Sequence, residues 1–239
     1  NNRKIVSKRM SKFKLAFSVL FLFSLTRVYA QKVYPDFGMW NTVSVEKKIN
    51  KKVSLSIDEE FRLKENLSKI NLFYTNFGFN YKLSKKLKAS LIYRNTQKAV
   101  DGRGYDIKHR LMLDVVYKEK LSKKFQFQFR QRFQFENNNI YSSRDGKYIE
   151  SFLRSKFELG YNYTKKIKAY LSEELRFQLH DPRNPESDYG LHRFRTSLGV
   201  DYNLNSCNSV GIYYLVQNEI RVYKPNELFI FGLQYGFQF

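Results

Sequence analysis

The feature that most constrains this fold is an alternation of apolar and polar side chains with a period of two. In the segment FQFQFRQRFQFE, residues 125–136, all five phenylalanines share one face, while both arginines and all but one of the glutamines share the other. A helix would distribute these rings around its axis, whereas a strand places successive side chains on opposite faces. Similar alternation recurs from residue 36 to residue 239. The pattern predicts an all-β chain with about eleven strands.

Paired lysines divide these strands into hairpins. Pairs at 51–52, 85–86, 123–124 and 165–166 each stand directly before an apolar strand start, and the polar segment 205–208 is a degenerate fifth copy. Each period covers two strands, so the repeating unit is a hairpin with a short turn at the lysine pair. The polar connections between the pairs, such as residues 64–69, 99–105 and 137–147, predict longer loops at the opposite end of the sheet.

Three properties favour a barrel in a membrane over a soluble sandwich. Most alternating segments reach about ten residues, the length of a tilted membrane strand, whereas strands of soluble proteins average about 5–6 residues. Charged side chains stand at mid-strand on the polar face, as suits a wet or salt-bridged lumen, and long loops alternate with short turns. A sheet in lipid must also close, because every backbone polar group there needs a hydrogen-bond partner.

We therefore expect residues 31–239 to form a single antiparallel up-and-down transmembrane β-barrel of about 10–12 strands. The alternative is a soluble periplasmic β-sandwich or barrel that binds a ligand. A count of eleven strands conflicts with the even strand numbers of bacterial single-chain barrels. Either one strand is miscounted, or residues 31–38 thread the lumen instead of joining the wall.

Residues 1–30 read as a cleavable signal peptide with an upstream extension. Lys12 and Lys14 precede an apolar run over residues 15–25, and Val28 and Ala30 supply the small residues of a cleavage site. The run is too short for a membrane helix, which needs about 20 apolar residues. Cleavage after residue 30 removes seven basic residues and no acidic ones. The mature chain then has 43 − 7 = 36 basic residues against 22 acidic residues, a net charge of +14. We expect Sec-type export to the bacterial outer membrane, where the chain has no nucleic-acid partner.

The last strand ends in alternating aromatic residues, of which Phe237 and Phe239 are the final two. This ending resembles the C-terminal strand that the bacterial barrel-assembly machinery recognises. The resemblance implies that Phe237 and Phe239 form an assembly signal. It also implies that the partners of the chain are this machinery, during biogenesis, and the lipid of the outer membrane.

Three segments carry a resemblance to a known family: DFGMWNTVSVEKKINKKVSLSIDEEFRL, YKLSKKLKASLIYR and YKEKLSKKFQFQFRQRFQFE. They are similar to domain of unknown function 2490, a family of exported barrel-like proteins common in the Bacteroidetes group. The resemblance covers nearly all of the mature chain. It implies a fold and a location, and it brings no catalytic residues to carry over.

The polar face of the strands carries more bases than acids, and the alternation predicts a lumen lined by arginines. The favoured interpretation is a salt-bridged interior that fills a narrow barrel with a structural or binding role, because about ten to twelve strands enclose little free space. The alternative is a small pore that prefers anionic solutes. The predicted lumen arginines are Arg62, Arg94, Arg110, Arg130, Arg132, Arg154, Arg176, Arg193 and Arg195.

The sequence predicts no catalytic, cofactor or metal site. His180, His192, Ser187 and Asp188 share or border one loop, but no nucleophile motif accompanies them, so we do not expect an enzyme. The single cysteine, Cys207, and the scattered histidines lack metal-binding spacing.

Two glutamates, Glu59 and Glu173, interrupt the apolar face of their strands in the similar contexts DEEFR and SEELR. A β-bulge would turn them into the lumen. Without a bulge, they lie on the outer face near a membrane interface, where a charge costs little.

Overall fold

The computed structural model describes residues 34–138, 149–181, 190–221 and 225–239. These residues form eleven β-strands that close into one barrel. The strands are long because the alternating pattern continues over 12 to 17 residues between the turns. Their bounds are β1 Tyr34–Lys48, β2 Val53–Lys64, β3 Lys69–Lys82, β4 Leu87–Val100, β5 Gly104–Lys120, β6 Phe125–Asn138, β7 Ile149–Asn162, β8 Ile167–His180, β9 Leu191–Asn203, β10 Asn208–Glu219 and β11 Asn226–Gln238.

The barrel closes through a parallel pair between β1 and β11, while all other neighbouring strands are antiparallel. The all-β barrel and its strand count are confirmed, but the even count expected from bacterial barrels is wrong. With eleven strands, the first and last run in the same direction and can pair only in parallel. The register of this seam runs from Tyr34 opposite Asn226 to Glu46 opposite Gln238. Residues 34–38 therefore belong to the wall, and the expectation that they thread the lumen is wrong.

Five short turns at one end of the barrel share one hydrogen-bonding motif. In each turn a side-chain oxygen accepts hydrogen bonds of 2.8–3.2 Å from the backbone N–H groups two and three residues later. Such a side chain imitates a backbone turn and ends one strand while starting the next. The lysine pairs occupy the two positions after this residue, so the sequence repeat is the repeat of the turn. The capping residues are Asn50, Ser84, Ser122, Thr164 and Asn205.

The connections at the other end differ in length. Between β2 and β3 only residues 65–68 intervene, and between β4 and β5 only residues 101–103, so the expected long loops are wrong at these two places. Positive φ angles at Glu65, at Gly102 and at their neighbours permit these tight turns. Between the later strands at this end, ten, ten and six residues intervene, over 139–148, 181–190 and 220–225.

The barrel has an apolar outer wall and a polar interior. Along β6, for example, Phe133 is 44% exposed, whereas its neighbour Gln134 is only 1% exposed. The alternation predicted these two faces, and closure decides that the polar face is inside. A soluble globular protein has the reverse distribution, with its apolar side chains in the core.

A small apolar cluster lies inside the barrel beside the seam and is formed by Trp40, Tyr213, Leu215 and Ile230. Gly232 makes room for it, because a Cβ atom there would lie 2.0 Å from the Tyr213 ring. This cluster provides an apolar surface at one side of the lumen, where Arg62 and Arg195 lie over the Trp40 ring.

Phe239 continues the seam just beyond β11, since its N–H donates to the Glu46 carbonyl at 3.0 Å and its carbonyl accepts from Lys48 N at 2.8 Å. We expect deletion of Phe239 to weaken the purified barrel modestly, because each hydrogen bond contributes about 0.5–1.5 kcal/mol. If Phe237 and Phe239 form an assembly signal, the yield of folded barrel from cells should fall by far more. The measurement is a comparison of folded, heat-modifiable protein in cells with the unfolding midpoint of the purified protein.

Phe133→Ala is the control, because it removes one outward ring far from the chain end. Equal cellular yields of the deletion and this control would contradict the assembly signal.

Candidate functional site

The middle of the lumen contains a cavity of about 380 Å³ that we call the arginine chamber. The structure brings all nine predicted lumen arginines to its lining, together with Lys156. The acidic side chains of the lining are only Asp58, Glu60 and Glu174. These arginines come from strands spread along most of the chain: Arg62, Arg94, Arg110, Arg130, Arg132, Arg154, Arg176, Arg193 and Arg195.

The strand register places four of these arginines in one unbroken row. Arg132 lies opposite Arg154, Arg154 opposite Arg176, and Arg176 opposite Arg193, on the four consecutive strands β6 to β9. Like charges directly opposite each other destabilise a sheet. The row therefore concentrates positive charge and lowers the stability of the sheet. Strand pairing alone gives no reason for such a row.

A second row lies one inward position nearer the lysine turns. It contains Arg130, Lys156, Glu174 and Arg195 in cross-strand order. Glu174 is the single carboxylate of the two rows, and it is buried. It accepts hydrogen bonds from three guanidinium groups: Arg130 at 2.5 Å, Arg154 at 2.5 Å and Arg195 at 3.2 Å.

Four other arginines each pair with a carboxylate of their own. The most regular pair is that of Arg132 and Asp114, in which two parallel hydrogen bonds of 2.6 and 2.7 Å join the guanidinium to the carboxylate. Such bidentate pairs combine charge with fixed geometry. The remaining three pairs are Arg62 with Glu60, Arg110 with Glu136 and Arg193 with Glu219.

Arg94 and Arg176 have no carboxylate within ion-pair distance among the described residues. Arg94 donates to the Asn76 side-chain oxygen at 2.7 Å and lies 3.4 Å from the Tyr74 ring centroid. Arg176 lies 3.7 Å from the Phe152 ring centroid. Both use an aromatic face as a partial substitute for an anion.

The balance within the described lumen is therefore positive. Seven of the nine arginines contact five carboxylates, namely Glu60, Asp114, Glu136, Glu174 and Glu219, so the nine arginines exceed these partners by four. Four buried guanidinium nitrogens, the Nε atoms of Arg130, Arg154, Arg176 and Arg193, also have no hydrogen-bond partner. Buried charge and buried donors without partners are both costly, and an anion would relieve both costs.

The chamber adjoins a polar cavity of about 520 Å³ that lies toward the lysine turns. The two cavities share Ser44, Asp58 and Arg130 in their linings. On the other side of the chamber, a row across β5 to β8 is filled by buried side chains of Met112, Gln134, Phe152 and Gln178. Over these strands, side chains fill the space on one side of the chamber, whereas the larger cavity lies on its turn side.

Sequence reasoning missed the aromatic partners of the arginines. Trp40, whose ring centroid lies 3.5 Å from the Arg62 guanidinium carbon, and Phe152 point inward although the inner face is polar. The period of two already places both side chains on the inner face, because their neighbours in the sequence point outward. Only the three-dimensional register shows that each lies beneath a guanidinium group.

The two outward glutamates lie on the outer face. Glu59 accepts a hydrogen bond of 2.7 Å from Thr75, and Glu173 accepts one of 2.9 Å from Thr196, each on the neighbouring strand. The register is continuous at both positions, so the expectation that a β-bulge turns them into the lumen is wrong. The neighbouring residues Glu60 and Glu174 occupy the inward positions instead.

The other chemical candidates stay dispersed. His192 packs against Phe152 with ring centroids 5.8 Å apart, and Cys207 is exposed in the β9–β10 turn. Ser187 and Asp188 lie outside the described residues. Within the described ranges, no group of three metal-ligating side chains occurs. Nor does any helix in these ranges have the length and hydropathy to cross a membrane.

Comparison with protein families gives one match. The model of a family described as "Protein of unknown function (DUF2490)" matches residues 37–224, more than half of the chain. No curated protein matches this sequence. The matched region includes β2 to β10 in full, most of β1 and all nine arginines of the chamber.

The sharing of Glu174 among three arginines makes it the most sensitive carboxylate of the lumen. We expect Glu174→Gln to destabilise the barrel by about 3–5 kcal/mol, the cost of breaking a buried ion pair by removing one partner. Glu65→Gln is the matched control, because Glu65 forms exposed ion pairs with Lys64 and Lys69. Such surface pairs contribute only about 0–1 kcal/mol.

The measurement is urea-induced unfolding of the two purified variants beside the wild type. Similar midpoints for Glu174→Gln and Glu65→Gln would show that Glu174 does not hold the arginine network together.

Proposed function

The chain belongs to this DUF2490 family of unknown function, and we propose that it is a bacterial outer-membrane β-barrel whose filled, salt-bridged lumen binds an anionic solute instead of forming an open pore. The proposal has two parts, a location and a role. Each part depends on a different face of the wall.

The apolar outer wall supports the location. Large apolar side chains are exposed on every side of the barrel, among them Phe77, Leu198 at 63% and Ile212 at 52%. In water, each exposed apolar square ångström costs about 25 cal/mol, and soluble monomers rarely show contiguous apolar patches above a few hundred Å². Lipid removes this cost. The strands, of 12 to 17 residues, are also long enough to cross a bilayer with tilt.

The two ends of the barrel suggest its orientation. Outer-membrane barrels have short periplasmic turns and longer extracellular loops. The five capped lysine turns would then face the periplasm, and the connections over 139–148, 181–190 and 220–225 would face outward. In this orientation the chain end at Phe239 lies on the periplasmic side, where assembly machinery acts.

The filled lumen supports a binding role. Side chains just fill a barrel of eight strands, and barrels of sixteen or more strands leave an aqueous channel. In this barrel of eleven, paired arginines and carboxylates cross the lumen at mid-height, and Met112, Gln134 and Phe152 are fully buried beside them. A second candidate function is an anion-preferring pore, which the positive excess of the arginine chamber favours. It requires that the side chains that fill the lumen move aside.

Membrane fractionation tests the location. We expect the protein in the outer-membrane fraction, with heat-modifiable migration on a gel, because a closed barrel resists detergent until it is heated. Recovery as a soluble periplasmic protein would overturn the membrane assignment and favour the soluble barrel.

A pair of variants sharpens this test. Leu113 lies at the middle of β5 on the outer wall, and Leu121 lies in the β5–β6 turn. In lipid, Leu113→Arg should cost about 2–4 kcal/mol, whereas Leu121→Arg should cost about 0–1 kcal/mol. In a soluble barrel both exposed substitutions should fall within about 0.5 kcal/mol of the wild type.

Planar-bilayer recording tests the role. We expect the purified barrel to show no steady open-channel conductance, because the charged network fills its lumen. Steady current with anion preference, reduced when Arg130, Arg132, Arg193 and Arg195 are replaced together by glutamine, would establish the pore instead. Leu121→Arg serves as the control for a charge change outside the lumen.

A further inference from the structure

We propose that the arginine chamber binds a compact multivalent oxyanion of the pyrophosphate class, at the side chains of Arg154, Arg176 and Arg193. This inference deepens the binding role proposed above and names its ligand. It depends on the charge, the hydrogen-bonding capacity and the access of the chamber.

The charge of the chamber requires a multivalent partner. The nine arginines exceed the carboxylates that contact them by four among the described residues. A single chloride would leave most of this excess in a low-dielectric interior, where uncompensated charge is expensive. A diphosphate carries several negative charges on closely spaced oxygens and so matches the excess in a small volume.

The hydrogen-bonding capacity is concentrated at three neighbouring residues. Arg154, Arg176 and Arg193 lie directly opposite one another on β7, β8 and β9, and the buried Nε of each lacks a partner. Arg154 uses its other nitrogens for Gln134 and Glu174, and Arg193 uses one for Glu219. All three guanidinium groups line the chamber, and no nitrogen of Arg176 has a hydrogen-bond partner among the described residues. Adjacent guanidinium groups suit the oxygens of phosphoryl groups, for which guanidinium is the preferred protein donor.

The surrounding contacts hold these donors in place. Glu174 fixes Arg154 from the side of the lysine turns, and the Phe152 ring supports Arg176 at 3.7 Å. These contacts order the guanidinium groups before binding, and the three buried Nε groups need only turn toward the chamber to donate to an anion. We call these three arginines, which line the chamber from β7, β8 and β9, the cradle.

Access to the cradle comes from the turn end. The adjoining cavity of about 520 Å³ is lined by Lys88, Lys118 and Arg130 and by the carboxylates of Glu46, Asp58 and Asp114, so a hydrated anion meets a polar path of balanced charge before it reaches the positive chamber. An acyl chain would need to enter the polar lumen with its headgroup. The geometry thus favours a free, water-soluble anion over the phosphate of a membrane lipid.

Calorimetric titration of pyrophosphate into the purified full-length barrel, in a zwitterionic detergent at constant ionic strength, tests this site. We expect one saturable site per chain, with chloride bound at least about tenfold more weakly. Arg176→Met should weaken pyrophosphate binding about tenfold to hundredfold, because it removes charge-assisted hydrogen bonds. Arg176→Lys keeps the charge without the planar guanidinium, so its pyrophosphate affinity should lie between those of the wild type and Arg176→Met.

Arg103→Met is the matched control, since Arg103 is exposed in the β4–β5 connection, and it should bind like the wild type. Arg176→Met should fold, because it removes a charge that has no carboxylate partner. Its heat-modifiable migration checks this. As a second readout, pyrophosphate should raise the unfolding midpoint of the wild type, with a stabilisation that grows logarithmically once its concentration exceeds Kd.

A parallel titration in micelles that contain phosphatidylglycerol tests whether a lipid headgroup occupies the site. Competition by this lipid at the same site would overturn the assignment of a free anion. Absence of saturable pyrophosphate binding, equal chloride binding, or an unchanged affinity in Arg176→Met would overturn the site. A barrel that fractionates with the outer membrane and does not conduct, yet fails to bind pyrophosphate, would refute the ligand and leave the location and the filled lumen intact.

Discussion

The pairing of β1 with β11 is the interaction on which the rest of this structure depends. An open sheet of these strands would leave two edges of unpaired N–H and C=O groups and would have no inside. Closure along the register from Tyr34–Asn226 to Glu46–Gln238 removes both edges. It also converts the polar face of every strand into a shared interior, so arginines far apart in the sequence come within reach of the same ligand. The chamber is thus a product of closure and not of any local motif.

The sequence predicted the faces of the strands but not their partners. A period of two decides whether Arg154 points inward, because a shift of one residue reverses the face. It does not decide that Arg154 lies opposite Arg176, since cross-strand register depends on turn geometry and on irregularities such as those at Arg62/Leu63 and Arg176/Phe177. The role of Glu174 was therefore hidden, because its three contacts come from β6, β7 and β9. Similarly, the lysine repeat located the turns, yet the parallel seam followed only from the odd strand count.

The arginine rows show a conflict between stability and local order. A sheet gains nothing from like charges at neighbouring positions, and exchanging one of them for glutamine would be expected to relieve repulsion. The structure offsets the conflict with a shared carboxylate at Glu174 and with the ring of Phe152 beneath Arg176. Outside the rows, Trp40 and Tyr74 lie in the same way beneath Arg62 and Arg94. Places where a chain breaks its own packing rules are characteristically places of function. On the outer wall, by contrast, the mid-strand carboxylates of Glu59 and Glu173 each accept a hydrogen bond from a threonine of the neighbouring strand.

The odd strand count has a consequence for how such a barrel can change in size. Five capped turns define five hairpins, and β11 stands alone beside them. Duplication or loss of a hairpin adds or removes two strands, so the circumference changes while the closing pair remains parallel. The amino end of β1 and the carboxyl end of β11 likewise remain at opposite rims. A short peptide cannot join those ends, so a circular permutation with a short linker is not possible in this architecture. Only the gain or loss of a single strand would bring both ends to the same rim.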